Sequence, residues 1–315
     1  MVKRVLGAAS IGGSNSGIET EERLNHVLKV LQDNNIDEID SARIYTKGES
    51  EKLLGQVSAH KKFKISTKVP SFQPGSGKKE LILKSFKDST EALKQDSVDI
   101  YYLHAPDRET SFEEQAEAMN EVHKNGGFKR LGLSNYTAEE VEKFYNICKK
   151  EGYVLPEVYQ GNYNAVTRNN EEALFPLLRK LNISFYAYSP LAGGLFAKSI
   201  DELKNPKEGS RFHPNSGAGP MYRRMYINDT FLNAIEKFQL LCKEEDIKPS
   251  QAAFRWLQHH SELKENDAII LGASNVAQLE ENVADSDGPK LSEKLLKGLS
   301  DMWDGVADKA PNYHM

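Results

Sequence analysis

Short apolar runs, rich in β-branched and aromatic residues, recur along this 315-residue chain and alternate with segments of helical apolar spacing. They run from Arg4 to Ala8, Ile36 to Asp40, Phe63 to Thr67, Val98 to Leu103, Phe128 to Leu133, Glu157 to Gln160, Ile183 to Tyr188 and Ala268 to Leu271. For most of the length they stand roughly thirty residues apart, enough for a strand, a crossover helix and two turns. Antiparallel strands need no such crossover, so the spacing predicts a parallel sheet. Eight strand–helix units of this kind close into a (β/α)8 TIM barrel.

Helix starts support the alternation. Ser111 with Glu114 and Thr137 with Glu140 fit the capping box, in which each residue satisfies a free amide of the other. Thr20 to Leu31 places Leu24, Val27, Leu28 and Leu31 on one helical face. The period breaks once, between Tyr188 and Ala268. Extra helices are expected there at Phe231–Cys242 and Gln251–His260, after a long irregular section from Leu191 to about Asp229. Loops of that length are commonly functional, and Phe196, Phe212, Met221, Tyr222, Arg223, Arg224 and Tyr226 favour a lid or binding loop.

No linker divides the chain, so residues 1–315 read as one barrel domain. The net charge of −5, mixed in sign along the sequence, offers no basic stripe for nucleic acid. Cys148 and Cys242 lack CxxC spacing, which indicates neither a disulfide framework nor a metal site. The apolar part of the N-terminus is too short for a signal peptide and no run reaches the length of a membrane span. A cytoplasmic protein with small-molecule partners is expected, and the sequons at Asn135, Asn182 and Asn228 are then chance matches.

At or just past the ends of successive runs stand Asp40 with Tyr45, Lys68, His104, Ser134 with Asn135, Gln160 and Tyr188. Any one of them has an ordinary explanation: a cap, a core histidine, the solvated end of a strand. Together they converge on one mouth if the barrel closes. A phenol near pKa 10 donates a proton at neutral pH only if its anion is stabilised. An ammonium does that, and a carboxylate keeps a buried ammonium charged. Lys68 and Asp40 suit these tasks and Tyr45 that of donor, while His104 can hydrogen-bond the same oxygen. A carbonyl accepting hydride needs such a site, with hydride from a cofactor. The dinucleotide fingerprint GxGxxG is absent from GAASIGGSNSG, and PGSGKK lacks the spacing of a phosphate loop. Phosphate is instead expected where Ser274 and Asn275 open a helix after the eighth run. Tyr188 offers a face for a nicotinamide.

With these residues in hand, the chain resembles the aldo-keto reductases along essentially its whole length. DSARIY with GESEKLLG at Asp40–Gly55 is similar to that superfamily's first signature, STK at Ser66–Lys68 to its lysine motif, and GLSNY at Gly132–Tyr136 to its carboxamide-binding turn. LHAPD at Leu103, VYQGNYNAVTR at Val158, FYAYSPLAGGL at Phe185 and PNY at Pro311 resemble its aflatoxin-aldehyde reductase branch. The resemblance implies reduction of aldehydes or ketones with NADPH. Tyr45 would be the general acid, Lys68 would lower its pKa, Asp40 would pair with Lys68, and His104 would position the carbonyl. Ser134, Asn135 and Gln160 would hold the carboxamide beside Tyr188. Ser189 to Leu195, with Leu191 and Gly193, would cover the pyrophosphate, and Ser274, Gln278, Glu281 and Asn282 the adenosine end. A homodimer is expected by resemblance only.

Two departures stand out. Many relatives grip the 2′-phosphate with Lys and Arg where this chain has Ala273 and Gln278, leaving Arg211 or Lys198 as substitute cations. Branch members that accept carboxylate-bearing aldehydes have arginines where Met225 and Met315 stand, although Arg223 and Arg224 are close by. With Tyr222 these residues point to a bulkier, more apolar substrate. Two other classes fit the same barrel: a cofactor-binding regulatory module like the potassium-channel β subunits, and an aldolase using Lys68 as a Schiff-base amine.

Overall fold

The computed structural model describes residues 1–14 and 16–315; Asn15, in the Gly/Ser-rich stretch near the N-terminus, lies outside them. Parallel strands β1 (Lys3–Gly7), β2 (Glu38–Asp40), β3 (Lys64–Val69), β4 (Val98–Leu103), β5 (Phe128–Ser134), β6 (Pro156–Asn162), β7 (Ser184–Tyr188) and β8 (Ala268–Gly272) follow one another in order around a closed barrel. β8 closes on β1 in unbroken register from Lys3↔Ala268 to Gly7↔Gly272. All eight expected runs are strands, as a (β/α)8 barrel requires.

The helices are α1 (Glu21–Asp33), α2 (Glu49–Gln56), α3 (Lys79–Leu93), α4 (Phe112–Lys124), α5 (Ala138–Glu151), α6 (Leu174–Leu181), α7 (Ile200–Lys204), α8 (Gly219–Tyr226), α9 (Asp229–Glu244), α10 (Pro249–His259), α11 (Val276–Ser286) and α12 (Glu293–Val306). Thr20 caps α1, and Leu24, Val27, Leu28 and Leu31 are buried on one face as their spacing predicts. Thr137 and Glu140 form the expected reciprocal box at the start of α5. At Ser111 only half of the box forms: its hydroxyl accepts from the Glu114 amide, but Glu114 turns to the amide of Lys79 at the start of α3. Joining two helices thus displaced the local contact.

Beyond β7 the section from Leu191 to Asp229 is less irregular than expected. It contains a 3-10 turn at Ala192–Ala197, then α7 and α8. A second capping box, Ser199 with Glu202, starts α7, and Pro220 starts α8. α9 packs on α12 outside the barrel, whereas α10 and α11 pack together in its outer ring.

Alternation along the strands sorts the core into an inside and an outside. Val5, Ile100, Tyr102, Val158, Tyr186, Ala268 and Ile270 fill the interior, while Leu6, Ile39, Tyr101, Leu103, Tyr159, Phe185 and Ile269 face the helices. Below the apolar layer lies a polar one. Buried Glu38 accepts from Lys3 Nζ at 2.8 Å and Tyr186 Oη at 2.9 Å, and Arg130 binds Asp99. A polar cavity of about 470 Å³ opens at this lower end among the starts of β3 and β4, away from the strand C-termini.

Candidate active site

Period-two alternation decides which side chains reach the barrel mouth. Asp40 stands two residues after Glu38, His104 after Tyr102, Gln160 after Val158 and Tyr188 after Tyr186, all inward-facing positions. Lys68 is not past the end of its strand but the fifth of the six residues of β3, fully buried and 5.4 Å from the centroid of the Tyr102 ring. The strand runs two residues beyond the apolar stretch because Thr67, Lys68 and Val69 pair with Tyr101, Tyr102 and Leu103.

Lys68 Nζ donates to Asp40 Oδ2 at 2.6 Å, to the Ser41 carbonyl at 2.7 Å and to the Tyr45 hydroxyl at 3.5 Å. These contacts use all three N–H groups of an ammonium. An amine must shed a proton and free a lone pair to form a Schiff base, so this geometry argues against an aldolase. Asp40 Oδ1 accepts from Gln160 Nε2 at 2.9 Å, so β2, β3 and β6 meet through one carboxylate. Gln160 is thereby tied to Asp40 in addition to any carboxamide contact.

Tyr45 begins a 3-10 turn in which Thr46 (φ 48°) and Lys47 (φ 60°) have left-handed backbone, followed by Gly48 at φ 94°. Thr46 Oγ1 donates to the Ile11 carbonyl at 2.8 Å, anchoring the turn to the β1 loop. Behind it, buried Glu51 of α2 accepts from Thr67 Oγ1 at 2.6 Å and pairs with Arg43, clamping α2 to β3 next to Lys68. Nothing in the sequence singles out Glu51 or Ser41 for a task at the site. A glutamate in the first turn of an amphipathic helix usually marks only the helix start.

Burial sets the protonation states. It holds the Tyr45 phenol well above the ordinary tyrosine value, with the Asp40 charge adding to the rise. The phenol is thereby kept in its proton-donating form, and the Lys68 ammonium that the resemblance implies would stabilise its anion stands 3.5 Å away. Burial also pulls Lys68 down, opposed by Asp40, and raises Asp40, opposed by Lys68. His104 is driven well below the usual histidine range, first by burial and then by Lys68, so its ring is neutral. That ring lies edge-on to Tyr45 with centroids 5.9 Å apart, and Phe72, 39% exposed, tilts over it at 4.6 Å. Nothing in the sequence singled out Phe72.

Asn135, left-handed at φ 65°, donates from Nδ2 to the His104 carbonyl at 2.8 Å and to Ser134 Oγ at 3.1 Å. Its Oδ1 accepts from Tyr188 Oη at 2.9 Å. After β7, Ser189 and Gly193 also have positive φ, and the Tyr222 ring covers Gly193 so closely that no Cβ fits there. Tyr222 is buried, with its hydroxyl 2.8 Å from Ser189 Oγ, so it props up the expected pyrophosphate segment. Arg211 lies over the Tyr222 ring at 5.3 Å, Arg223 reaches the Phe212 carbonyl at 3.5 Å, and Met225 packs against the core. Leu191 is buried. Met315, 51% exposed, is tied down by its amide to the Asn135 carbonyl at 3.1 Å and by Arg108, which reaches its carbonyl oxygen at 2.7 Å.

The residues expected at the adenosine end gather on α11 and just before it. Gln278 Oε1 accepts from Ser274 N at 2.8 Å and Ser274 Oγ at 2.7 Å, and Asn282 Nδ2 donates to the Gly272 carbonyl at 2.9 Å. Gln278, Glu281 and Asn282 line a cavity of about 500 Å³ together with Lys198. His104 Nδ1 is buried without a partner. His104 thus has a ring nitrogen free for a polar group at the mouth, and the cavity lined by Lys198, Gln278, Glu281 and Asn282 fits the phosphate-bearing end of an extended nicotinamide nucleotide.

A closed parallel barrel whose strand ends share one acid–base cluster defines a barrel enzyme with its chemistry at the C-terminal face. The chain belongs to the aldo/keto reductase family, with residues 5–303 matching the sequence model described as "Aldo/keto reductase family". It is 40% identical to "Oxidoreductase sirO" of Leptosphaeria maculans over 99% of this chain and 96% of that protein. It is 37% identical to "Aflatoxin B1 aldehyde reductase member 2" of Rattus norvegicus over 91% of this chain and 81% of that protein. With the human "Aldo-keto reductase family 7 member A3" it shares 38% identity, over 88% of this chain and 87% of that protein. The chain is thus an oxidoreductase of a family that acts on small carbonyl compounds. Among the described residues no helix is long and apolar enough to cross a membrane.

Proposed function

We propose that the protein reduces aldehydes, and ketones of suitable shape, to alcohols with NADPH, with Tyr45 as general acid. The observation that supports this most is the single ammonium of Lys68 held between the Asp40 carboxylate and the Tyr45 hydroxyl. Bound NADPH would supply hydride to the carbonyl carbon. As charge develops on the carbonyl oxygen, the Tyr45 hydroxyl gives up its proton and Lys68 stabilises the phenolate left behind. Neutral His104, donating from its ring to the same oxygen, orients it; a preorganised donor of this kind is commonly worth about 3–4 kcal/mol in the transition state. Asp40 keeps Lys68 charged, and Gln160 fixes Asp40. Ser134 and Asn135 would orient the carboxamide, Tyr188 the ring, and Ser189, Leu191 and Gly193 the pyrophosphate. Phe72 and Met315, both exposed apolar side chains, suit an uncharged, apolar aldehyde.

The names of the mammalian relatives, which refer to aldehyde reduction, agree with this reading. Incubating purified protein with NADPH and a panel that includes 4-nitrobenzaldehyde and dicarbonyls, with the products identified, tests it. Alcohol formed one for one with NADPH consumed is expected. Tight NADPH binding without turnover on any aldehyde would contradict it.

A further inference from the structure

The cavity beside α11 is lined on its far side by cations. Lys198 follows the 3-10 turn after β7, Lys243 lies in the last turn of α9, and Lys248 caps α10. On the α11 side stand neutral Gln278 and Asn282 and acidic Glu281. Ala273 is buried, and Gln278 Oε1 is already occupied by Ser274, so α11 brings no positive charge to this space. Lys248 Nζ donates to Glu281 at 2.6 Å and stands 4.0 Å from Asp285, whose carboxylate is buried and accepts from Ser250 Oγ at 2.6 Å. Lys198 and Lys243 have no ion pair among the described residues.

We infer that Lys248, assisted by Lys198 and Lys243, selects NADPH over NADH by taking the 2′-phosphate, and that Glu281 holds Lys248 until that phosphate displaces it. The inference rests on the nicotinamide-nucleotide reading above and adds where its phosphate selectivity resides.

The Lys248–Glu281 pair is about half exposed on both sides, at 55% and 54%. An exposed pair of this kind is worth only about 0–1 kcal/mol, so it exchanges partners readily. A phosphate monoester brings a charge of about −1.5 to −2 and three acceptor oxygens against the single charge of a carboxylate, and so competes well for the ammonium. The unpaired Lys198 and Lys243 then add to its field without giving up a partner. NADH, with a 2′-hydroxyl in that place, leaves Lys248 on Glu281 and finds an acceptor in the glutamate. Glu281 therefore favours the hydroxyl and opposes the phosphate, and Lys248 reverses the preference. Arg211 is not part of this arrangement, since it lies over the Tyr222 ring beside Ser189.

Titration of the intact protein with NADP⁺ and NAD⁺, by calorimetry or quenching of intrinsic fluorescence, tests the inference without turnover. Lys248→Met is expected to lower the ratio of NADP⁺ to NAD⁺ affinity by about tenfold or more, equivalent to about 1.4 kcal/mol. Glu281→Gln is expected to raise the same ratio, because the phosphate no longer competes with a carboxylate. The NADP⁺ affinity of the wild type should fall with added salt more steeply than that of Lys248→Met. An unchanged ratio in both variants, with NADP⁺ still bound, would overturn the inference and leave the reductase reading standing. Failure of the wild type to bind either nucleotide would overturn both.

Discussion

Lys68 Nζ stands 2.6 Å from Asp40 Oδ2 and 3.5 Å from the Tyr45 hydroxyl, with none of the lysine exposed to solvent. One buried ammonium therefore serves two oxygens, a carboxylate that it pairs with at rest and a phenol that becomes charged only as it gives up its proton in the proposed reaction. The first contact keeps the ion in place at rest; the second gains strength as the proton leaves.

Lys68→Met leaves the Asp40 carboxylate buried without its counter-ion. Removal of one partner from a buried pair costs about 3–5 kcal/mol, whereas replacing both with apolar groups costs less. Urea denaturation should therefore show Lys68→Met to be less stable than the double variant Lys68→Met/Asp40→Leu. Equal stability of the wild type and Lys68→Met would contradict the pairing.

His104 gives the fold a pH dependence whose sign is fixed. Its folded pKa lies well below the ordinary value of 6.5, so between the two values the unfolded chain binds a proton that the folded chain does not. Stability is complete above about pH 6.5 and declines as pH falls toward the lowered value, by up to about 1.4 kcal/mol per unit for one such group. His104→Gln should flatten that slope between pH 6.5 and 5 in urea titrations; an identical slope would exclude His104 as its source.

Much of this was legible in the sequence because it rests on periods. The spacing of the apolar runs gave the barrel, and alternation within them placed Asp40, His104, Gln160 and Tyr188 on one face. Contacts between distant elements left no comparable mark. Glu51 looks like any first-turn glutamate until α2 brings it to Thr67, and Glu114 looks like a capping residue until α3 offers the Lys79 amide. Lys248, Phe72 and Arg108 acquire tasks only through neighbours remote in the chain. Tyr222 and Met225, expected at the substrate pocket, have further contacts that no period marks: Tyr222 supports the Ser189–Gly193 segment and Met225 packs against the core.

Tyr188→Phe removes the hydroxyl that Asn135 Oδ1 accepts at 2.9 Å while keeping the ring. The loss of one such bond is worth about 0.5–1.5 kcal/mol. Nucleotide affinity should fall roughly two- to tenfold, through looser placement of Asn135, and Tyr188→Leu should lower it further. Equal affinities of Tyr188→Phe and the wild type by fluorescence titration would remove Asn135 and Tyr188 from the nucleotide site as a coupled pair.

Arg108 grips Glu140 Oε1 at 2.6 Å and the Met315 carbonyl at 2.7 Å, fixing the last residues beside the Asn135 turn. Arg108→Ala should raise KM for a large aldehyde such as naphthaldehyde more than for propanal, with kcat little changed. Equal effects on both would show that Met315 does not bound the substrate space.

In the proposed reaction Tyr45 delivers the proton. Single-turnover reduction of 4-nitrobenzaldehyde by the preformed NADPH complex compares the wild type with Tyr45→Phe under conditions in which nucleotide binding is shown to be retained. The predicted result is a rate lower by about 10² to 10⁴, the range for a positioned general acid. A Tyr45→Phe rate within a few-fold of the wild type would contradict it.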